Sequence, residues 1–178
     1  MDDISFNAYH GSVEWKAQQI ERNGFIISSK NCEWLVEGIY FFEKKDHAVV
    51  WAKRECEKPK NIGHNPAVVC VTIKCTTGEY LDLDDEKNMS DLISCFYNAF
   101  KDSKKGRPQF DNDYQLRCFC CNLFRRMNPQ YKVLAYTFGF PPKRNMAGFH
   151  VIKQEKQYCV VSNDYVFERK VEVYDNAI

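Results

Sequence analysis

The apolar positions of this chain change period along its length, and the changes mark its elements. Residues 4–11, ISFNAYHG, alternate weakly between apolar and polar and read as a first strand. From Ser12 the spacing shifts. Val13, Ala17 and Ile20 recur three and four residues apart, which predicts a helix with Ser12 as N-cap and Gly24 as its stop. Residues 26–43 are irregular but rich in large apolar side chains, as expected of a loop packed against the body. KKDHAVVWAKRECEK (44–58) reads as a second amphipathic helix ended by Pro59, with Trp51 on its buried face. PAVVCVTIKC (66–75) is β-branched throughout and predicts a strand, with EYLDLDD (79–85) expected beside it. Residues 85–103 and 112–127 read as two more helices around the basic turn KKGRPQ. YKVLAYTF (131–138) is a strand and GFPPKRNMAG (139–148) a loop, and FHVIK, QYCVV and KVEVY supply closing strands. Helices come early, strands late, and no βαβ unit repeats, so the expected class is α+β in a single domain over residues 1–178.

Composition narrows the possible functions. With 25 basic and 24 acidic residues the net charge is +1, which gives no support for a general polyphosphate binder. No apolar run approaches the ~20 residues of a membrane span, so no membrane partner is expected. The start, MDDISFNAYHGS, lacks the basic and apolar regions of a signal peptide, and the nine cysteines form no regular framework. Both point to a reduced, cytoplasmic protein with mostly free thiols.

The candidate chemistry lies in AYHGS (8–12) and EGIYFFE (37–43). Gly11 follows His10 directly, and a residue without a Cβ lets a flat amide approach the backbone. Tyr40 stands between Gly38 and two phenylalanines. Read in series, YHGS, NGF, GIYFFE and AVVWA form a block that closely resembles the NAD-binding half of the ADP-ribosyltransferase superfamily. The branch is the His–Tyr–Glu one, which includes poly(ADP-ribose) polymerases and diphtheria-toxin-like enzymes. The likeness covers the first fifty residues, thins through the middle and returns at KQEKQYCVVSNDYV (153–166).

The resemblance implies a split β-sandwich with surrounding helices, and NAD as co-substrate. It also implies roles for individual residues: His10 on a ribose hydroxyl, the Gly11 backbone on the carboxamide with Ser12 beside it, and the Tyr40 ring stacked on nicotinamide. The implied reaction is mono-ADP-ribosyl transfer to an unidentified acceptor, a protein or nucleic acid. NAD glycohydrolysis and a non-catalytic NAD or ADP-ribose reader are the alternatives. A bacterial toxin with an antitoxin partner, or a phage-defence effector, is the expected setting.

The sequence departs from that family's pattern at the third triad position, where Gln157 stands in place of glutamate. A glutamine accepts a hydrogen bond from a ribose hydroxyl but carries no charge and takes no proton. Glu155, two residues earlier on the same strand face, is the second candidate for that position and a candidate acceptor-facing base. Long-chain polymer synthesis is not expected. A gapped match puts His47 where many relatives have a serine touching the carboxamide. The run CFCC (118–121) contains a CxxC spacing, but it lacks a second pair, so buried helical thiols are expected rather than zinc. The basic runs KDSKKGRP and LFRR and the acidic EYLDLDDE read as solvated surface, the basic pair being placed to flank a nucleic-acid acceptor.

Overall fold

The computed structural model describes residues 2–27, 34–101, 108–140 and 153–175. Its centre is a long antiparallel pair, β1 (Asp3–Val13) and β3 (Pro66–Thr76), in register from Asp3 opposite Thr76 to Val13 opposite Pro66. This ladder corrects the expected helix start. Ser12 lies within the strand opposite Ala67, and α1 (Glu14–Asn23) is preceded by Val13 in extended conformation with no side-chain cap. Gly24 ends α1 as the sequence suggests, at φ 82°, where a side chain would be strained.

Seven strands form one sheet in the order β4-β5-β6-β2-β1-β3-β7. The further strands are β2 (Ile39–Phe42), β4 (Tyr80–Asp82), β5 (Val133–Phe140), β6 (Lys153–Val160) and β7 (Val166–Val173). The acidic segment expected beside β3 corresponds to β4, which lies at the far end of the sheet and pairs parallel with β5. A turn closed by the Glu79 amide on the Thr76 carbonyl redirects the chain after β3, so adjacency in sequence does not become pairing. Of the strand expected from FHVIK, Lys153 starts β6, while residues 149–152 and the loop segment 141–148 lie outside the described residues.

Alternation along the strands distributes the core. Val69, Val71 and Ile73 share one apolar layer with Ala8, Phe41, Val133, Tyr158 and Val160. Leu81, Leu134 and Cys159 point the other way and meet Leu92 of α3 (Glu86–Ala99) and Cys121 and Phe124 of α4 (Asp113–Met127). Asp85 and Asn112 cap these two helices by accepting from the Asn88 and Gln115 amides at 3.0 Å. On the outer face of β1 and β3 sits α2 (Lys45–Cys56), with Ala48 against Val68. Each fully buried large side chain, such as Leu35 or Ile73, contributes roughly 1.5–3 kcal/mol through its removal from water.

Between β1 and β2 the sheet is held by one residue pair, Tyr9 opposite Phe42. On either side the ladders are longer: β2 pairs with β6 over four residues, Ile39 to Phe42. The candidate site lies along this weak seam.

Candidate functional site

His10 follows the one pair that closes the seam, and its imidazole spans the gap: Nδ1 lies 2.8 Å from the Tyr40 carbonyl oxygen. A carbonyl only accepts, so Nδ1 carries the proton and Nε2 keeps its lone pair. The Phe25 and Phe41 rings meet the imidazole edge-on at 5.2 and 6.1 Å. Burial holds its pKa below the ordinary 6.5 against the smaller opposing pulls of the Tyr40 carbonyl and the Glu55 charge. Near neutral pH the ring is therefore uncharged, and among the described residues no group bonds Nε2. That nitrogen is an acceptor suited to a hydroxyl.

Tyr40 presents its ring to the cavity, and its hydroxyl is otherwise engaged. The hydroxyl accepts from the Leu35 and Val36 amides at 2.8 and 3.1 Å and donates to the Val36 carbonyl at 2.6 Å. Burial drives the phenol pKa far upward. The hydroxyl is thus engaged by the backbone of residues 35 and 36. The same three bonds pin the segment carrying Trp34, whose carbonyl also accepts from Arg117 Nε at 3.1 Å.

Gly11 is required by packing as well as by any ligand. A Cβ there would lie 2.1 Å from the Ala48 carbonyl oxygen and 3.0 Å from the Ala52 nitrogen, because α2 crosses β1 at this residue. Gln157 reaches the site from β6, opposite Phe42 on one side and Tyr136 on the other. It is only 6% exposed, yet among the described residues its amide takes no hydrogen bond. Ser12, also 6% exposed, likewise takes none. The Gln157 amide and the imidazole nitrogen on the inner hollow, and the Ser12 hydroxyl on the adjoining outer one, are thus polar groups available to a ligand.

Two adjoining hollows share His10, Gly11, Tyr40 and Trp51. The inner one, about 130 Å³, is closed by Trp34, Phe42 and Gln157. The outer one, about 540 Å³, extends past Ser12 and along α1, with Trp15, Lys16 and Gln19 on that side and Glu55 of α2 opposite. Together they fall within the size range of small-molecule sites. The structure thus brings together His10, Gly11, Ser12, Tyr40 and Gln157 from three separate segments. Glu155 is not among the lining residues: it sits buried on β6 opposite Phe138. His47 is not there either; its ring faces Phe42 at 6.3 Å, with Nδ1 buried and unbonded.

Trp51 lies on the sheet-facing side of α2 beside Phe42, half-buried, and in addition lines both hollows. Trp15, Trp34 and Glu55 were not foreseen. One signal was present in the sequence for Glu55, since it lies four residues after Trp51 and so shares its helical face.

Cys118, Cys120 and Cys121 are buried thiols on α4, as their helical setting predicts. Burial pushes the Cys121 thiol up to about 12, so it stays protonated and unreactive. Among the described residues no cluster of metal-ligating side chains occurs, and no helix is long and apolar enough to cross a membrane.

No protein-family model matches the chain, and no solved structure matches it. An uncharacterized protein of Methanocaldococcus jannaschii is 26% identical over 104 residues. That stretch spans 57% of this chain and 49% of the Methanocaldococcus protein, so the likeness reaches about half of each.

Proposed function

We propose that this chain is an NAD-dependent mono-ADP-ribosyltransferase built on a split β-sandwich. The observation that carries the reading is the convergence of His10, Gly11, Tyr40 and Gln157 on one hollow, with polar groups left open toward it. The near-break of the sheet between β1 and β2 supports the split arrangement. In this reading the flat nicotinamide enters the inner hollow against the Tyr40 ring, and its carboxamide meets the Gly11 backbone. The open Nε2 of His10 accepts from a ribose hydroxyl, and the Gln157 amide orients the same sugar. Breaking the C1′–N1 bond sends the electron pair to the ring nitrogen. Neutral nicotinamide leaves, and C1′ becomes oxocarbenium-like until the acceptor, a protein or nucleic acid, attacks it. A rigid grip on both halves favours the strained geometry in which this occurs.

Gln157 favours a second reading, because an uncharged residue there does less for the cation: a module that binds NAD or ADP-ribose without turning it over. The test is incubation with NAD labelled in the adenylate, with and without cell lysate, while following nicotinamide release and label retention. Release with label retained on macromolecules supports the transferase. Release with free ADP-ribose as sole product identifies a glycohydrolase. Binding without release identifies a reader. Absence of a melting shift at both millimolar NAD and millimolar ADP-ribose in the folded protein refutes all three.

A further inference from the structure

We infer that Glu55, on α2, is a catalytic residue that supplies the carboxylate the strand position at Gln157 lacks. The inference rests on the NAD reading above and assigns a reacting group within the same site. Loss of neutral nicotinamide leaves positive charge on the sugar, and the nucleophile that attacks C1′ must shed a proton. Both demands call for an anion facing the site. Glu155, two residues from Gln157, does not line either hollow. Among the described residues that do, Glu55 carries the one carboxylate.

Its position suits the task. Trp51 and Glu55 are one helical turn apart, so they present the same face of α2 to the cavity. Gly11 fixes how deep that face sits, since α2 lies against the β1 backbone at Ala48 and Ala52. The carboxylate is close enough to His10 for its charge to favour the protonated imidazole. Lys58 holds one carboxylate oxygen, Oε1, at 2.5 Å, and Asn61 Nδ2 anchors the Glu55 carbonyl at 2.8 Å. Asn61 thus steadies the backbone at Glu55, and the Lys58 pair occupies only one of the two carboxylate oxygens. In the reaction the C1′–N1 bond breaks with its electron pair on nicotinamide. The nucleophile's lone pair then forms the new bond to C1′, and its proton passes to the Glu55 carboxylate and on to solvent.

The experiment compares nicotinamide release by wild type, Glu55→Gln, Glu55→Asp and Lys58→Met, with folding checked by melting. We expect Glu55→Gln to lower kcat by roughly 10²-fold or more with little change in KM, and Glu55→Asp to recover part of that loss. Lys58→Met should cost roughly fivefold at most, because it removes only a half-exposed ion-pair partner. Equal turnover by wild type and Glu55→Gln would overturn this assignment and leave the NAD reading standing. Parallel losses in Glu55→Gln and Lys58→Met would assign the pair to structure instead. Should Glu55→Gln fail to fold, Glu55→Asp decides: full wild-type rates there, with the carboxylate drawn back by a methylene, refute the role. A wild type that neither binds nor cleaves NAD overturns both readings together.

Discussion

Replacing Tyr40 with phenylalanine removes one oxygen and keeps the ring, so a role confined to stacking would make it nearly silent. The structure argues otherwise. That oxygen is the acceptor for the Leu35 and Val36 amides and the donor to the Val36 carbonyl, and both residues are fully buried. Leaving a buried amide without an acceptor costs about 1–3 kcal/mol. The Val36 carbonyl keeps a weak donor in the Cys159 thiol at 3.5 Å, and water from the adjoining hollow offsets part of the loss at the amides. The expected net destabilisation is therefore about 2 kcal/mol rather than the full sum. Equilibrium urea unfolding reads this directly. With a slope of roughly 1–3 kcal/mol/M, the midpoint should fall by about 1 M at unchanged slope. NAD turnover in the folded fraction should stay far above that of Tyr40→Ala, which also loses stacking worth roughly 0.5–1.5 kcal/mol. A phenylalanine variant within about 0.5 kcal/mol of wild type would refute the claim that this hydroxyl holds the wall of the site.

Three further outcomes follow from the geometry. His10 titrates below 6.5 in the native state, so below that pH the unfolded chain binds more protons and stability falls as pH is lowered, levelling off beneath the native pKa. His10→Gln should flatten that part of a stability–pH profile, and His10→Ala should reduce NAD turnover without unfolding the chain; a slope unchanged in His10→Gln would contradict the buried neutral ring. Gly11→Ala drives a Cβ into the Ala48 carbonyl, and a loss of about 3 kcal/mol or more is expected by thermal melting; a variant as stable as wild type would mean that α2 does not sit so close. Gln157→Glu should preserve or raise nicotinamide release if residue 157 faces the ribose, whereas unchanged kinetics in both Gln157→Glu and Gln157→Ala would remove this residue from the site.

Much of the fold was legible because local signals agreed with tertiary ones. Asp85 and Asn112 begin their helices where the periodicity changes, and Gly24 ends α1. The β-branched run of β3 was unambiguous. The misreadings share a cause in long-range pairing. Ser12 resembles a cap, but the β1–β3 ladder runs through it to Val13, and eleven paired residues outweigh one capping bond. β4 pairs with β5, fifty residues later, and nothing in EYLDLDD encodes that choice. At the site, the histidine, glycine and tyrosine were readable because their spacing resembles a known pattern. Glu55 was not, because on a helix assigned by its apolar positions a glutamate looks like solvated surface.

The seam between β1 and β2 has a mechanical consequence. A sheet joined across its middle by one residue pair resembles two plates on a narrow strap, and the site occupies the open length of the join. A ligand touching His10 and Gly11 on one plate and Tyr40 and Gln157 on the other would act as a clip across it. Amide hydrogen exchange should then slow most at those amides of residues 9–12 and 39–42 that face the seam when ligand binds, while the amides already bonded between β1 and β3 change little. In that arrangement occupancy of the site and rigidity of the whole sheet are one event.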